Sequence, residues 1–312
     1  MNEAVFPPVL QIGEFPRIAQ DLIDHSFELV SIDAIASDDQ LRQRVGGIVT
    51  RSNYTVDVEL IARLPSLGII ATSGVGYDRI PVEFARQRGI TVSNTPDLLN
   101  AAVAELALGM LLALLRQLPR ADAHVRSGAW HEGALPLGSS LADKQVGIIG
   151  LGRIRKDIVR RLLPFEVEVA YYGRTDQGLP WTRYGSVVEL AAHSDVLIAC
   201  CPGGEATRHI VNAEVLAALG ARGVLVNIAR GSVVDEAALV HALATKQIAG
   251  AALDVFEEEP TRNTALCAFD NVLLAPHIGS ATHETRLAMA QLTVDNLKSF
   301  FMTGKAITAV TG

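Results

Sequence analysis

Short apolar runs alternate with amphipathic segments along the whole chain. In the first hundred residues, three runs rich in β-branched residues and bounded by Gly or Pro predict buried strands, at Val45–Thr50, Leu67–Ser73 and Gly89–Pro96. The segments Asp57–Pro65 and Pro81–Gly89 between them predict helices, and the second begins at Pro and ends at Gly. Strands that alternate with helices in this way predict βαβ units and a parallel sheet.

The alternation restarts after a polar segment at 127–144. Before that segment, Ala101–Leu118 is apolar on nearly every face, which predicts a helix buried in a core or in a subunit contact. The last stretch, Glu284–Thr303, predicts one helix that could pack back on the first sheet and make the N-terminal domain discontinuous. Six further apolar runs predict a second, longer set of parallel strands: Gln145–Gly150, Glu168–Gly173, Ser194–Pro202, Gly223–Ala229, Ile248–Phe256 and Asn271–His277.

These two sets of strands predict the fold class and the domain organisation. A chain of 312 residues favours two domains. We expect an α/β protein with two Rossmann-like domains, each built on a parallel sheet, and an active site in the cleft between them. One domain is expected to be discontinuous, at 1–97 plus 286–312, and the other to span 98–285.

Composition and charge exclude several classes of function. With 27 Lys and Arg against 34 Asp and Glu, the net charge is −7, which argues against a nucleic-acid partner. The longest apolar stretch, Ala101–Leu115, contains Glu105 and is shorter than the ~20 residues that cross a bilayer. Glu3 stands where a signal peptide carries basic residues, and three cysteines do not make a disulfide framework. We therefore expect a soluble, cytoplasmic protein with no membrane partner and no metal.

A glycine-rich turn follows the first strand of the second set. The sequence QVGIIGLGRIRKDIVRRL places Gly150 and Gly152 between an apolar strand and a helix, the context of a dinucleotide site. The first glycine permits the tight turn, and the second lets backbone N–H groups and the helix N-terminus approach a pyrophosphate.

Arg155 departs from that pattern, because a Gly or Ala normally stands there and lets the helix pack close to the strand. An arginine should push the helix outward or extend its stem to solvent. Two interpretations remain open: an adapted turn that still binds the cofactor, or a turn with weakened affinity.

The residues after the second strand of this set indicate which dinucleotide is bound. An Asp or Glu there would bind the ribose of NAD, whereas this chain reads YYGRTDQ, with Arg174 at that place. An arginine binds a 2′-phosphate through charge-assisted hydrogen bonds, which favours NADP(H) and leaves NAD(H) possible. The alternative is an ordinary solvated arginine in a loop.

Three charged or titratable side chains follow later strands of the second set, at the edge where open α/β sheets bind ligands: Arg230, Glu259 and His277. Reduction of a 2-keto acid needs a cation for the carboxylate, which suits arginine, and a proton donor near neutral pH, which suits histidine. A carboxylate beside the histidine would orient the ring and favour its protonated form. The alternatives are a packed loop histidine and a solvated acidic run at 257–259.

Several ordered strings together resemble the D-isomer-specific 2-hydroxyacid dehydrogenase family, and most closely its glyoxylate/hydroxypyruvate (2-ketogluconate) reductase branch: SGVGYDRI, NTPDLLNAAVAELALGMLLALLR, VGIIGLGRI, NIARGSVVDE, ALDVFEEEP and PHIGSAT. The resemblance implies a carboxylate clamp at Arg230, a general acid/base at His277 and its partner at Glu259. It further implies substrate contacts from the N–H groups of Val75 and Gly76, with Ser280 nearby. Its implied cofactor contacts are Gly150, Leu151, Gly152, Arg153, Ile154, Arg174, Thr175, Cys201, Thr207, Ile228 and Asp254.

The resemblance also carries expectations about partners and activity. It implies that 98–285 binds the dinucleotide and that the discontinuous domain binds a small 2-keto or 2-hydroxy acid. It implies a homodimer through the cofactor domain, with the Ala101–Leu115 helix as a candidate contact and Trp130 as a residue that could border the partner's active site. The expected reaction is NADPH-dependent reduction of glyoxylate, hydroxypyruvate or a similar acid. The alternatives are a nucleotide-sensing interaction protein on the same scaffold and a dehydrogenase for 2-ketogluconate or a phosphoglycerate-like acid.

Overall fold

The computed structural model describes residues 6–150, 152–173, 175, 178–261 and 263–310. The chain divides into two compact units, of which the first comprises Met1–Leu99 with Ala281–Gly312 and the second Asn100–Ser280. Leu151 and Arg174, both expected to contact the cofactor, lie outside the described residues.

The first unit is a parallel sheet with helices on both faces. Over its described residues the sheet has five strands in the order β2-β1-β3-β4-β5, with parallel pairing throughout. The strands are β1 (Val9–Gln11), β2 (Leu29–Val30), β3 (Gly47–Arg51), β4 (Ile69–Ser73) and β5 (Thr91–Ser93). The helices are α1 (Arg17–Asp24), α2 (Ile32–Ser37), α3 (Asp39–Arg44), α4 (Val58–Ala62), α5 (Val82–Gln87) and a C-terminal helix (His283–Thr303).

The two faces of this sheet follow from the alternation of side chains along each strand. Ile48 and Ile70 point into one core, and their neighbours Val49 and Ile69 point into the other. Leu297 of the C-terminal helix is fully buried in the second core, so this helix packs on the first sheet.

The second unit is a larger parallel sheet. Its described strands number seven, in the order β12-β11-β10-β9-β6-β7-β8. They are β6 (Gln145–Ile149), β7 (Glu168–Tyr172), β8 (Thr182–Arg183), β9 (Val196–Ala199), β10 (Val224–Asn227), β11 (Gly250–Leu253) and β12 (Val272–Leu274). The helices are α6 (Asn100–Leu115), α7 (Leu118–Arg126), α8 (Arg153–Leu162), α9 (Val187–Ala192), α10 (Ala213–Leu219), α11 (Glu236–Ala244) and α12 (Thr264–Cys267).

This strand order defines a topological switch point between β6 and β9. The chain proceeds from β6 to β7 and β8 on one side of the sheet, and from β9 to β12 on the other. Parallel α/β sheets bind their ligands beyond the carboxyl ends of the strands at such a point. The predicted fold class, α/β with two parallel sheets, is confirmed.

The apolar helix α6 is buried on several sides within its own unit. Its buried side chains include Val103, Ala107 and Leu111, because the helix packs between α8 and the strands β10 to β12. Among the described residues, no single helix is long and apolar enough to cross a membrane. The α6–α7 pair reaches that length and hydropathy only when both helices are taken together, and the pair is bent by 59°.

Candidate active site

The glycine-rich turn lies at the switch point, where it contacts the end of β9. Gly150 has a φ of +115°, a backbone conformation that side chains disfavour. A Cβ on Gly150 would lie 2.8 Å from the Cα and the N of Cys201. The turn after β6 therefore requires glycine at this position for two reasons, its left-handed backbone and its close approach to the neighbouring strand.

The N-terminus of α8 has the features of a phosphate site. Gly152 is exposed and precedes the first residue of the helix, and a Cβ there would meet no atom within 4 Å. Gly152 supplies no side-chain hydrogen bond to cap the helix, and N–H groups of a first helical turn are the groups that bind phosphate. The first turn carries no acidic residue, so the positive end of the helix dipole is not neutralised there. These residues fit the pyrophosphate of a dinucleotide.

The other residues expected at the cofactor lie around the same edge. Cys201 and Ile228 are both 7% exposed, at the ends of β9 and β10. The Thr207 hydroxyl donates a 2.7 Å hydrogen bond to the carbonyl of Pro202. Burial raises the pKa of the Cys201 thiol to about 11, so this cysteine is a neutral lining group and not a nucleophile. Three more of the expected cofactor contacts are described: Arg153 and Ile154 are the first residues of α8, and Thr175 is an exposed residue after β7.

Of the two outcomes expected at Arg155, the extension of its stem to solvent is wrong. Its side chain is 0% exposed. The buried positions of α8 are 155, 158, 159 and 162, and this helical spacing turns position 155 toward the sheet. The guanidinium is therefore enclosed within the unit.

His277 and Glu259 form the hydrogen-bonded pair expected from the sequence. His277 Nδ1 lies 2.7 Å from Glu259 Oε2, and the two side chains are 32% and 20% exposed. The second carboxylate oxygen, Oε1, accepts a 3.1 Å hydrogen bond from the N–H of Phe256. Because Glu259 occupies Nδ1, the other ring nitrogen, Nε2, is left for a substrate. The solvated acidic run is thereby excluded for Glu259.

The electrostatics keep Glu259 ionised. Burial raises the pKa of this carboxyl, but the hydrogen bond from His277 and the positive charges of His277 and Arg230 outweigh it, so the pKa lies below its usual value. The positive charge of Arg230 is the smallest of the causes that lower this pKa. An ionised Glu259 stabilises a positively charged imidazole.

Asp254 holds the backbone around His277. His277 has a φ of +53°, which is uncommon for a residue with a side chain. Its N–H donates to the carbonyl of Asp254 at 2.8 Å, and the N–H groups of Ile278 and Gly279 donate to the two carboxylate oxygens at 2.7 and 2.8 Å. Burial raises the pKa of the Asp254 carboxyl, although the hydrogen bonds from these two N–H groups act to lower it. The Asp254 side chain thus fixes the loop that carries the histidine.

Arg230 is positioned by residues that the sequence reasoning did not single out. Asn227, at the end of β10, is 1% exposed and donates from Nδ2 to the carbonyl of Arg230 at 3.0 Å. Its Oδ1 accepts the N–H of Ala229 at 3.1 Å. A Cβ on Gly203 would lie 2.7 Å from Arg230 Cγ, so only glycine leaves room for the arginine stem.

Gly231 brings the loop after β10 against the loop after β11. A Cβ at this position would lie 1.8 Å from the carbonyl carbon and oxygen of Phe256. Because the Phe256 N–H is bonded to Glu259, this contact determines the distance between the arginine loop and the acid/base pair. The string NIARGSVVDE contained both Asn227 and Gly231, but only tertiary contacts reveal their roles.

A second histidine–carboxylate pair connects neighbouring loops. His209 Nε2 is hydrogen-bonded to Glu257 Oε1, and the N–H of Glu257 donates to Glu236 Oε1 at 2.7 Å. Glu257 is therefore paired in the structure, while its side chain remains 36% exposed.

The predicted substrate contacts at Val75 and Gly76 belong to the first unit, in the loop after β4. The side chain of Asn94 donates to the Val75 carbonyl at 2.8 Å, and a Cβ on Gly74 would lie 2.6 Å from Ser52 Oγ. Within the described residues, the N–H groups of Val75 and Gly76 donate no hydrogen bond. Ser280 is half-buried and ends the second unit.

Comparison with known proteins agrees with this description. Residues 108–279 match the family described as D-isomer specific 2-hydroxyacid dehydrogenase, NAD binding domain. A glyoxylate/hydroxypyruvate reductase A of Arabidopsis thaliana is 46% identical over 267 residues, which cover 85% of each chain. A 2-ketogluconate reductase of Gluconobacter oxydans is 39% identical over 305 residues, covering 97% of this chain and 98% of the relative.

A solved structure is as similar in sequence to this chain as the A. thaliana relative is. The NADPH-dependent glyoxylate/hydroxypyruvate reductase of Sinorhizobium meliloti, in complex with NADP and malonate, has a TM-score of 0.92 and 46% identity, and the match covers 98% of this chain and 97% of that one. The glycine-rich turn at the switch point, with the histidine–carboxylate pair on the same unit, is typical of nicotinamide-dependent dehydrogenases. The chain belongs to the D-isomer-specific 2-hydroxyacid dehydrogenase family, in its glyoxylate/hydroxypyruvate reductase branch.

Proposed function

We propose that this protein reduces glyoxylate, hydroxypyruvate or a similar small 2-keto acid to the D-2-hydroxy acid with NADPH. The observation that carries the proposal is the 2.7 Å contact between His277 Nδ1 and Glu259 Oε2, with Arg230 acting on the same carboxyl. The names of the relatives from A. thaliana and S. meliloti support the same substrate class.

The reaction adds two electrons and two hydrogens to the keto group. The bound cofactor supplies the hydride that attacks the keto carbon. His277 donates the proton from Nε2 to the carbonyl oxygen as negative charge develops there, and it regains a proton from solvent. Glu259 orients the imidazole and stabilises its charged form, while the Arg230 guanidinium binds the carboxylate through its planar fork. One 2-keto acid, one NADPH and one proton thus give one 2-hydroxy acid and NADP⁺.

We assign the substrate carboxylate also to the N–H groups of Val75 and Gly76, with Ser280 beside it, and the nicotinamide carboxamide to Asp254. The N–H groups of Val75 and Gly76, which donate no hydrogen bond to any residue that the structure describes, support the first assignment, because consecutive backbone N–H groups bind anions. The corresponding domain roles are substrate binding for the discontinuous domain and dinucleotide binding for the other.

The preference for NADPH over NADH rests on Arg174, which would bind the 2′-phosphate. The NADP-bound structure from S. meliloti supports it, and NADH remains an alternative cofactor. Initial rates with both cofactors at matched concentrations test the preference directly.

The 2-ketogluconate reductase of G. oxydans, similar over nearly the whole chain, supports a second candidate substrate, 2-ketogluconate. A panel containing glyoxylate, hydroxypyruvate, 2-ketogluconate and pyruvate would rank these acids by kcat/KM. A purely nucleotide-sensing role is disfavoured by the paired His277 and Glu259, and robust NADPH oxidation with glyoxylate would exclude it as the main role.

We propose that the protein forms a homodimer through its second unit. Four apolar side chains in and after α7 are exposed, by 53% at Leu118, 57% at Val125, 67% at Trp130 and 96% at Leu137. Large apolar side chains exposed in one stretch of the chain support a protein interface there. Light scattering should give about twice the monomer mass, and a Val125→Asp, Trp130→Asp double variant should give the monomer mass.

The central experiment replaces His277. His277→Gln should abolish 2-keto acid reduction while NADPH binding, followed by nicotinamide fluorescence, stays within about twofold. His241→Gln, on the exposed side of α11, is the matched control and should retain activity. Retained turnover in His277→Gln would refute the role assigned to this histidine.

A further inference from the structure

The second histidine–carboxylate pair takes no part in the proton transfer proposed above. His209 belongs to the loop after β9, and its Nε2 is hydrogen-bonded to Glu257 Oε1 in the loop after β11. Glu257 stands two residues before Glu259, whose carboxylate binds His277. The side chains of His209 and Glu257 are 34% and 36% exposed, and a pair this accessible to water contributes little to the stability of the fold. What the pair holds in place is therefore more informative than its own energy.

The main chain around His209 is bonded to the loop that carries Arg230. The His209 N–H donates to the carbonyl of Ser232 at 2.8 Å. Two residues further on, Val211 pairs with Val234 in an isolated parallel bridge. Because Ser232 follows Arg230 by two residues, the backbone that carries the imidazole is fixed relative to the arginine loop.

Glu257 is held at its main chain as well as at its side chain. Its N–H donates to Glu236 Oε1 at 2.7 Å, and Glu236 Oε2 accepts a 2.9 Å hydrogen bond from Asn263 Nδ2. Glu236 is 8% exposed and is the first residue of α11, where the positive end of the helix dipole stabilises a carboxylate. The buried Glu236 carboxylate thus fixes the backbone of Glu257, and His209 fixes its side chain.

These contacts meet in the segment 256–259, which carries the acid/base glutamate. The Phe256 N–H donates to Glu259 Oε1 at 3.1 Å, so one hydrogen bond closes the segment. Glu259 Oε2 lies 2.7 Å from His277 Nδ1. Because Glu257 stands between Phe256 and Glu259, a displacement of Glu257 is transmitted to the carboxylate that orients the catalytic imidazole.

We propose that His209 is a positioning residue for the reaction, which acts through Glu257 to set the place of Glu259 relative to Arg230. The proposal rests on the function proposed above and assigns His209 no contact with the substrate. The hydrogen bond joins the loop that is bonded to the arginine segment to the loop that carries the acid/base pair. Its loss should therefore act on the orientation of the proton donor and lower kcat.

The binding of the keto acid should be affected much less than kcat. Asn227 donates to the carbonyl of Arg230 and still holds the carboxylate clamp when His209 is replaced. We expect the KM for the keto acid to stay within about twofold of the wild type. A KM that rises as much as kcat falls would indicate a general loosening of the site and would overturn the proposal.

The decisive comparison is His209→Asn against His209→Gln. Both variants put a terminal amide in place of the imidazole, but only Gln carries its NH₂ as many bonds from Cα as Nε2, so only Gln reaches Glu257. His209 has a φ of +49°, a region that Asn adopts more readily than Gln, so backbone strain would favour the opposite order. We expect kcat for glyoxylate to fall about tenfold in His209→Asn and to stay within about threefold in His209→Gln. Equal kcat values in the two variants, or a lower value in His209→Gln, would overturn the proposal.

Glu257→Ala removes the same contact from its other end. It should lower kcat about tenfold, and the double variant with His209→Asn should lose no more, since both changes remove one interaction. Glu258→Ala removes the same charge from the neighbouring, exposed position and should keep the wild-type kcat. Losses that multiply in the double variant would show that the two side chains act separately and would overturn the proposed contact. If His209→Asn does not fold, Glu257→Ala set against Glu258→Ala decides, because wild-type kcat in Glu257→Ala refutes the positioning role.

Hydrogen–deuterium exchange distinguishes this proposal from the proposed function. The N–H groups of Phe256 and Glu257 are both hydrogen-bonded to carboxylates, so the peptide spanning 250–259 should exchange about threefold faster in His209→Asn and at the wild-type rate in His209→Gln. Wild-type exchange in His209→Asn would overturn the positioning role whatever the activity. A wild-type protein that reduces no 2-keto acid would refute the proposed function, and the exchange rates would still decide whether His209 holds the segment.

Discussion

Gly231→Ala is expected to damage catalysis through a single added methyl group. The new Cβ would lie 1.8 Å from the carbonyl carbon and oxygen of Phe256, whereas ordinary contacts begin near 3.4 Å. The loops after β10 and β11 must therefore separate by about 1.6 Å. Overpacking of this kind costs about 1–3 kcal/mol of folding free energy. The displacement also moves Arg230 relative to Glu259, and a misplacement of about 1 Å can cost roughly 100-fold in rate.

The assay combines urea unfolding with initial rates of glyoxylate reduction. We expect the unfolding free energy to fall by about 1–3 kcal/mol and kcat/KM by about 100-fold. Gly185→Ala is the matched control, since its nearest neighbour is the flexible Glu189 carboxylate at 3.2 Å. Wild-type kcat/KM in Gly231→Ala would refute the proposed dependence of the acid/base geometry on this contact.

Two further substitutions test the same region. Asn227→Ala removes one of two hydrogen bonds to the Arg230 carbonyl, which keeps the N–H of Val233, and it removes the acceptor of the Ala229 N–H. It should lower the unfolding free energy by about 1–3 kcal/mol and raise the KM for the keto acid, and an unchanged KM would contradict the positioning role. Glu259→Gln tests how stability depends on pH. The pKa of Glu259 in the folded protein lies below its ordinary value of 4.5, so the ionised carboxylate stabilises the folded state above pH 4.5. This stabilisation is lost as the pH falls through the lowered pKa. Urea unfolding should show the wild type more stable than Glu259→Gln at pH 7 and the difference shrinking below about pH 4.5, while a difference independent of pH would contradict the ionised pair with His277.

Long apolar strands and flanking Gly or Pro were sufficient to predict most of the two sheets. The predicted runs at Leu67–Ser73 and Gln145–Gly150 contain β4 and β6, whose burial on both faces requires continuous apolar sequence. The strands β1, β2 and β8 were not predicted: β1 has three residues and the other two have two each, too few to establish a pattern.

The residues of the candidate site were likewise predicted from the sequence only in part. His277 and Glu259 could be proposed because a parallel sheet aligns the carboxyl ends of its strands, and their separation of 18 residues along the chain is bridged by one hydrogen bond. Gly203 and Gly231 could not be proposed, because their requirement for glycine comes from atoms of distant residues and not from their own backbone conformation.

By itself, the sequence determined the α/β class, the dinucleotide turn and the identity of the acid/base candidates, since these depend on local periodicity and on residue chemistry. Tertiary structure alone decided what surrounds each side chain. Position 155 illustrates the difference: the sequence allowed an arginine that reaches solvent, whereas the packing of α8 on the sheet encloses it between Tyr171 and Trp181. The physical reason is that helical spacing fixes which face a residue occupies, but only the neighbouring strands determine whether that face meets water, a ring or a ligand.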